Sequence, residues 1–393
     1  MPDLPRFLYF ISSPAVRVLP DSDDWRQPLP MARDQDARLA AGAFCHGDYF
    51  RAVRSFFEQD GLEMVSRHLG RRLGKPLDPH DINEIRICLE KHGQFYHPAR
   101  IDAVAGESTA SFVLNVAVSE TGLQTISGEY RRLKKLNDEF EPSFVPRVYG
   151  LGEVSGAGSR SIAMFLGQWF DGYHEFHLVR DDRDETLKLQ VWDRVNGLFF
   201  LTPDQTVGFY RLAARILTGY YNLKTFEQVC LWHHAAGDFV IRIDPSGLDV
   251  KLVTARRYAP LFNDPGLPAD ENRDAGLIVQ ALLVFLLNLS LRMRLDRLAG
   301  VGDMVWAPDV AVESTLAGFF EALALKPRLS CLPDSPDRCL RYYLSTCTRE
   351  DLLDLCQSLA DTFNLQTAEA AVVKRHLPEH VEALSRAVVS TTT

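Results

Sequence analysis

From Ile82 onward apolar and polar positions alternate in a way that reads as strands. Ile85, Ile87 and Leu89 are separated by polar residues, the period-two pattern of a half-buried strand. Lys91-His92-Gly93-Gln94 follows as a hairpin turn, and 95–103 and 110–119 (ASFVLNVAVS) read as two more strands. The period then changes. Ile126, Tyr130, Leu133 and Leu136 set one apolar stripe on a helix over 124–140. After Pro142, 145–154 (VPRVYGLGEV) and 161–170 (SIAMFLGQWF) return to strand character, so the order is β-β-β-α-β-β.

The flanks are mostly helical. Phe50, Val53, Phe56 and Phe57, then Leu62, Val65, Leu69 and Leu73, predict helices over 48–58 and 61–73 that end at Gly74-Lys75-Pro76. Before them, 11–19 reads as a strand and 20–35 as a Pro- and Asp-rich loop. Gly172 opens a second region, in which 191–200 carries a turn at Gly197. Phe209, Leu212, Ile216 and Tyr220 mark a helix over 204–223. The stretch 231–260 reads as two short strands around Pro245-Ser246-Gly247. Helices follow over 276–298, 312–323, 350–361 and 367–376, with 385–393 as a frayed tail. The apolar run 276–291 is under 18 residues and holds Gln280 and Asn288, so it reads as a buried helix rather than a membrane span.

Composition narrows the class. A net charge of -9 with no basic block excludes nucleic acid and anionic membranes as main partners. Seven cysteines without a C-x-x-C pair fit reduced thiols in a cytoplasmic protein and give no structural zinc site. The N-terminal MPDLPRFLYFISSPAV has no basic region ahead of its apolar run and does not read as a signal peptide.

The order β-β-β-α-β-β resembles the N-lobe of the protein-kinase-like superfamily, and of aminoglycoside and choline phosphotransferases in particular. Three features carry the likeness: Phe112–Val116 (FVLNV) in the third strand, Glu129 in the helix, and a strand leaving into Asp171-Gly172. The resemblance spans 82–323 and implies an α+β, two-lobed fold. It has a five-stranded antiparallel N-lobe with one helix and a mostly helical C-lobe, with helical additions at both ends. The lobes fall at 81–172 and 173–323, while the partly helical extension 1–80 and the helical extension 324–393 lie outside the resemblance.

In the family, the third strand carries a Lys that grips nucleotide phosphates and pairs with the helix Glu. Here Asn115 holds the lysine position and Glu129 the glutamate position. Setting His233-His234-Ala235 on the family's His-x-Asp puts Ala235 at the base, Val240 at the magnesium Asn and Thr254 at the magnesium Asp. None of these three can do that chemistry. The resemblance therefore implies ATP as cofactor while leaving magnesium without its ligands.

Asp238 stands inside the same loop, with two readings: a substitute base beside His233, or a side chain that bonds the loop backbone. Arg256 and Arg257 either hold an anionic ligand without metal or pair with Glu129 or another helix carboxylate. Lys91 is the cation of the hairpin where a phosphate loop would sit, and it joins Asn115, Glu129, Thr254, Arg256 and Arg257 as a cofactor-binding candidate.

His174 and His177, with Glu175, would join His233 and His234 in a metal reading. The family's layout instead separates the two pairs and gives them structural roles. Trp169, Trp192 and Trp232 either stack on a ligand ring or fill the core. Two functions follow. One is a catalytically degenerate, pseudokinase-type module for a small-molecule, nucleotide or protein partner. The other is a divergent phosphotransferase acting on a small hydroxyl or amine substrate, with Asp238 as base and Glu129 or Asp244 on metal.

Overall fold

The computed structural model describes residues 4–11, 16–30, 44–93, 95–156, 158, 160–193, 195–230, 232, 234–261, 274–362 and 367–392. The chain divides into two compact units, Met1–Glu141 with Pro146–Asp171, and Pro142–Val145 with Gly172–Thr393.

The first unit begins with strands β1 (Arg6–Ile11) and β2 (Val16–Val18), then helices α1 (Asp23–Arg26), α2 (His46–Phe56) and α3 (Leu62–Leu73). A π-helical turn, Phe57–Gly61, joins α2 to α3. Strands β3 (Glu84–Leu89), β4 (Ala99–Ala105) and β5 (Ser108–Ala117), helix α4 (Glu120–Glu139), and strands β6 (Val148–Ser155) and β7 (Ser161–Gln168) follow in the predicted order.

The sheet has seven strands, ordered β2-β1-β3-β4-β5-β7-β6. This corrects the expected five-stranded antiparallel sheet. Two strands from the first twenty residues extend it, and β1 pairs with β3 in parallel, from Arg6 opposite Glu84 to Ile11 opposite Leu89. Local alternation cannot reveal such a partner, because β1 and β3 are separated by three helices.

One face of this sheet is dry. Ile85, Ile87, Ile101, Phe112, Leu114, Val116 and Met164 pack against Tyr49, Phe50, Phe56, Phe57, Val65 and Leu69 of the α2–α3 segment. Side chains alternate across strands, so the other face carries Arg86, Cys88, Arg100, Asp102, Ser111, Val113 and Asn115. Helix α4 is started by Ser119, whose hydroxyl accepts from the Gly122 amide at 3.1 Å.

The second unit opens on an antiparallel sheet, β10-β9-β8, made of β8 (Phe176–Arg180), β9 (Leu187–Asp193) and β10 (Gly197–Phe200). Of this sheet the sequence pattern shows only the turn at Gly197. Helix α5 (Pro203–Gly219) starts at a capping box of Thr202 and Gln205 with Pro203 in its first turn. Strand β11 (Gln228–Cys230), the four-residue helix α6 (Ala235–Asp238), the hairpin of β12 (Phe239–Asp244) and β13 (Gly247–Leu252), and β14 (Arg257–Ala259) come next. The hairpin register runs from Phe239 opposite Leu252 to Asp244 opposite Gly247, as the Pro-Ser-Gly turn predicts.

Helix α7 (Ala275–Arg292), strands β15 (Leu295–Arg297) and β16 (Met304–Trp306), and helices α8 (Val310–Ala324), α9 (Pro336–Thr346), α10 (Arg349–Asp361) and α11 (Ala368–Thr392) complete the unit. Among the described residues, α7 is long and apolar enough to cross a membrane by length and composition, and 61% of it is buried within the chain. It stops at Arg292, six residues short of the predicted end. The expected frayed tail is also corrected. Helix α11 continues to Thr392 because Ala383, Leu384, Ala387 and Val388 are buried.

Candidate functional site

Asn115, Glu129 and Lys91 belong to the first unit, and Asp238, Thr254, Arg256 and Arg257 to the second. In the first unit Asn115 lies on β5 opposite Phe165 of β7, half-buried on the polar face of the sheet. Among the described residues its side chain has no hydrogen-bonding partner. Phe165 on the same face meets Tyr130 of α4 and Tyr96, with ring centroids 6.1 and 6.3 Å away.

Glu129 is only 2% exposed, and the hydroxyl of Tyr96 donates to its carboxylate at 2.8 Å. A tyrosine from the β3–β4 segment thus meets Glu129 of α4. The segment is not the tight hairpin that was expected. It runs without regular structure through its described residues from 90 to 98, and Gln94 lies outside them.

Several contacts hold that segment down. The His97 amide donates to the Val116 carbonyl at 2.9 Å, and the Tyr49 hydroxyl donates to the His97 carbonyl at 2.8 Å. A Cβ on Gly122 would stand 2.3 Å from the Phe95 carbonyl oxygen, so only glycine lets α4 start this close to the segment. Lys91 is exposed at its outer end.

Beside it on the polar face the sequence reading missed an ion network. Arg100 reaches Asp102 at 3.3 Å and Glu90 at 3.9 Å, and its guanidinium lies 5.9 Å from the Trp169 ring. The Ser111 hydroxyl donates to Asp102 at 2.8 Å. Burial pushes the Asp171 carboxyl above its ordinary value, with Arg72 opposing the rise.

In the second unit Asp238 ends helix α6. It is 1% exposed, and Arg256 donates to its carboxylate at 2.8 Å. Its carbonyl also accepts from the Val253 amide at 2.8 Å, which ties the loop to the end of β13. Within the second unit the carboxylate that Arg256 meets is Asp238. Arg257 belongs to β14, opposite Cys230, and Thr254 is buried between β13 and β14. His233 lies outside the described residues.

Asp244, the other carboxylate considered for metal, sits at the far end of β12. Six residues of extended chain separate it from Asp238, about 20 Å at the usual rise per residue. It instead closes the hairpin turn, accepting from the Ser246 amide at 2.8 Å, and that hydroxyl and amide hold it below the ordinary carboxylate value.

The histidines are spread over separate carboxylates. His174 Nε2 lies 3.5 Å from Asp193, His177 Nδ1 3.2 Å from Asp296, and His234 Nε2 3.5 Å from Glu369. The His174 backbone pairs with Ile241 of β12 through bonds of 2.8 and 3.0 Å. Among the described residues no group of three His, Cys, Asp or Glu is placed to hold a metal ion. Of the tryptophans, Trp232 is core, Trp192 packs on His177 with centroids 4.8 Å apart, and Trp169 lies beneath Arg100.

No protein-family model and no curated protein matches this sequence. Among solved structures it is similar to WaaP in complex with acyl carrier protein, at 12% identity and a TM-score of 0.30, over 67% of this chain and 84% of that one. It is also similar to the MAP kinase LmaMPK10 from Leishmania major, at 10% identity and a TM-score of 0.27, over 77% and 81% of the two chains. Likeness at this level leaves function to be argued from the chain's own residues.

Proposed function

We propose that the chain is a kinase-like module that has given up phosphoryl transfer and serves to bind a ligand or a protein partner. The reading takes 81–172 as the N-lobe and 173–323 as the C-lobe. It is supported by the order of β3, β4, β5, α4, β6 and β7, and by the β12–β13 hairpin that follows the α6 loop.

The observation that carries it is the state of Asp238. A general base must reach a substrate hydroxyl within hydrogen-bond distance. Asp238 is 1% exposed and holds Arg256 at 2.8 Å, so its carboxylate serves the loop. Glu129 is likewise engaged, by Tyr96. A phosphate-bearing ligand would have to be held without the lysine and without the magnesium ligands.

Thermal denaturation with ATP alone and with ATP plus magnesium, beside an assay of phosphate release, tests this. The expected result is no magnesium-dependent stabilisation and no turnover. Magnesium-dependent stabilisation with turnover that disappears in Asp238→Asn would overturn the proposal and make Asp238 a base.

A further inference from the structure

Three histidines meet at one end of the first sheet. His46 starts helix α2, and His92 and His97 belong to the segment between β3 and β4. The Nδ1 atoms of His92 and His97 stand 3.0 Å apart. The His46 and His92 rings stack with centroids 6.2 Å apart and 22° between planes, and His97 meets Tyr49 edge-on at 6.5 Å.

The contacts restrict where protons can sit. His46 Nδ1 faces the Asp24 carbonyl at 3.0 Å, and a carbonyl only accepts, so this nitrogen carries the proton. His46 Nε2 is buried with no hydrogen-bond partner among the described residues. Between His92 and His97 one nitrogen must donate and the other accept. With both rings charged, two N–H groups would point at each other across 3.0 Å.

We propose that His46, His92 and His97 form an acid-released latch that holds the segment 91–98 against α2. The proposal stands apart from the kinase-like reading. What the latch holds in place is Tyr96 on Glu129 and the Phe95 carbonyl against Gly122.

The surroundings offer little to stabilise an added charge. From α2 the facing groups are His46 itself and Tyr49, while Asp48 is turned to Cys45 and Arg51. From β3, the Cys88 thiol lies within electrostatic reach of Tyr49, and just past the strand Glu90 faces Cys88 and Arg100. From α1 the contact is the Asp24 backbone, and Lys91 is the neighbouring exposed cation in the segment. Burial, with His92 and His46 adding to it, lowers His97 to about 4, and burial with His46 lowers His92 below the ordinary histidine value.

The sign follows. Groups lowered from 6.5 in the closed form favour closure fully above that value, and closure weakens as pH falls from 6.5 toward 4.

Amide hydrogen exchange of the whole chain at pH 7.5 and pH 5, corrected for intrinsic rates, tests the latch. Protection of 91–98 is expected to fall by about tenfold or more at pH 5, with β12 and β13 unchanged. A double variant, His92→Gln with His97→Gln, is expected to show no such difference between the two pH values. Equal protection of 91–98 at both pH values in the natural chain, or pH dependence retained in the double variant, overturns the latch. Should the double variant not fold, NMR titration of the natural chain decides: a His97 signal midpoint near 4 supports the latch, and one near 6.5 overturns it.

Discussion

The Tyr96 hydroxyl and the Glu129 carboxylate, 33 residues apart in sequence, meet at 2.8 Å. This bond crosses from an irregular segment to a helix and fixes the segment's position over the polar face of the sheet. Glu129 is 2% exposed, and a buried carboxylate needs a hydrogen-bond donor, which the Tyr96 phenol supplies.

Removing that donor without removing the ring isolates the bond. Tyr96→Phe keeps the packing on Phe165 and is expected to cost about 1–3 kcal/mol of stability. Urea denaturation checks this, and an unchanged midpoint would mean that the bond contributes nothing.

The Asp238–Arg256 pair invites a double-mutant cycle. The two side chains are 2% and 20% exposed, so water screens them little. Arg256→Ala is expected to cost about 3 kcal/mol, because it removes the counter-charge from a buried carboxylate. With Asp238→Asn added, the further loss should be small, giving a coupling of about 1–3 kcal/mol. Additive losses would show that the ion pair is incidental.

His380 gives the second unit its own acid sensitivity. It is fully buried, bonded to the Ser290 hydroxyl at 3.1 Å, and burial with Arg294 nearby lowers it to about 3. The unfolded chain takes up this proton near 6.5 and the folded unit only near 3. The stability it contributes is therefore complete above pH 6.5 and falls as pH drops toward 3, by about 2 kcal/mol at pH 5. Denaturation midpoints of the natural chain and His380→Gln, measured from pH 7.5 to 4, should converge as pH falls.

The sequence exposed those parts of the fold in which pattern is local. Ile85, Ile87 and Leu89 announce β3, and the Pro245-Ser246-Gly247 turn announces the β12–β13 register to the residue. It hid what depends on distant partners. Nothing in RFLYFI says that β1 joins β3, and the alternation of Leu187, Leu189 and Val191 in β9 went unread because its partner strands are short. At the site the same division holds. Arg256 and Asp238 both stand out in the sequence, but nothing in it says that they meet. Tyr96 is silent in the sequence, since a tyrosine in an irregular segment carries no signal of the carboxylate it will meet.

The parallel pairing of β1 with β3 sets an order of events during synthesis. Arg6 and Glu84 face each other but are separated by 78 positions. At the usual ~5–20 residues per second, β1 leaves the ribosome roughly 4–16 s before the strand it pairs with. For that interval β1 has only β2 as a strand partner. A nascent chain halted before residue 84 can pair β1 only with β2 and pack Tyr9 only on Trp25 and Phe50, so the parallel edge of β1 stays open until β3 is made.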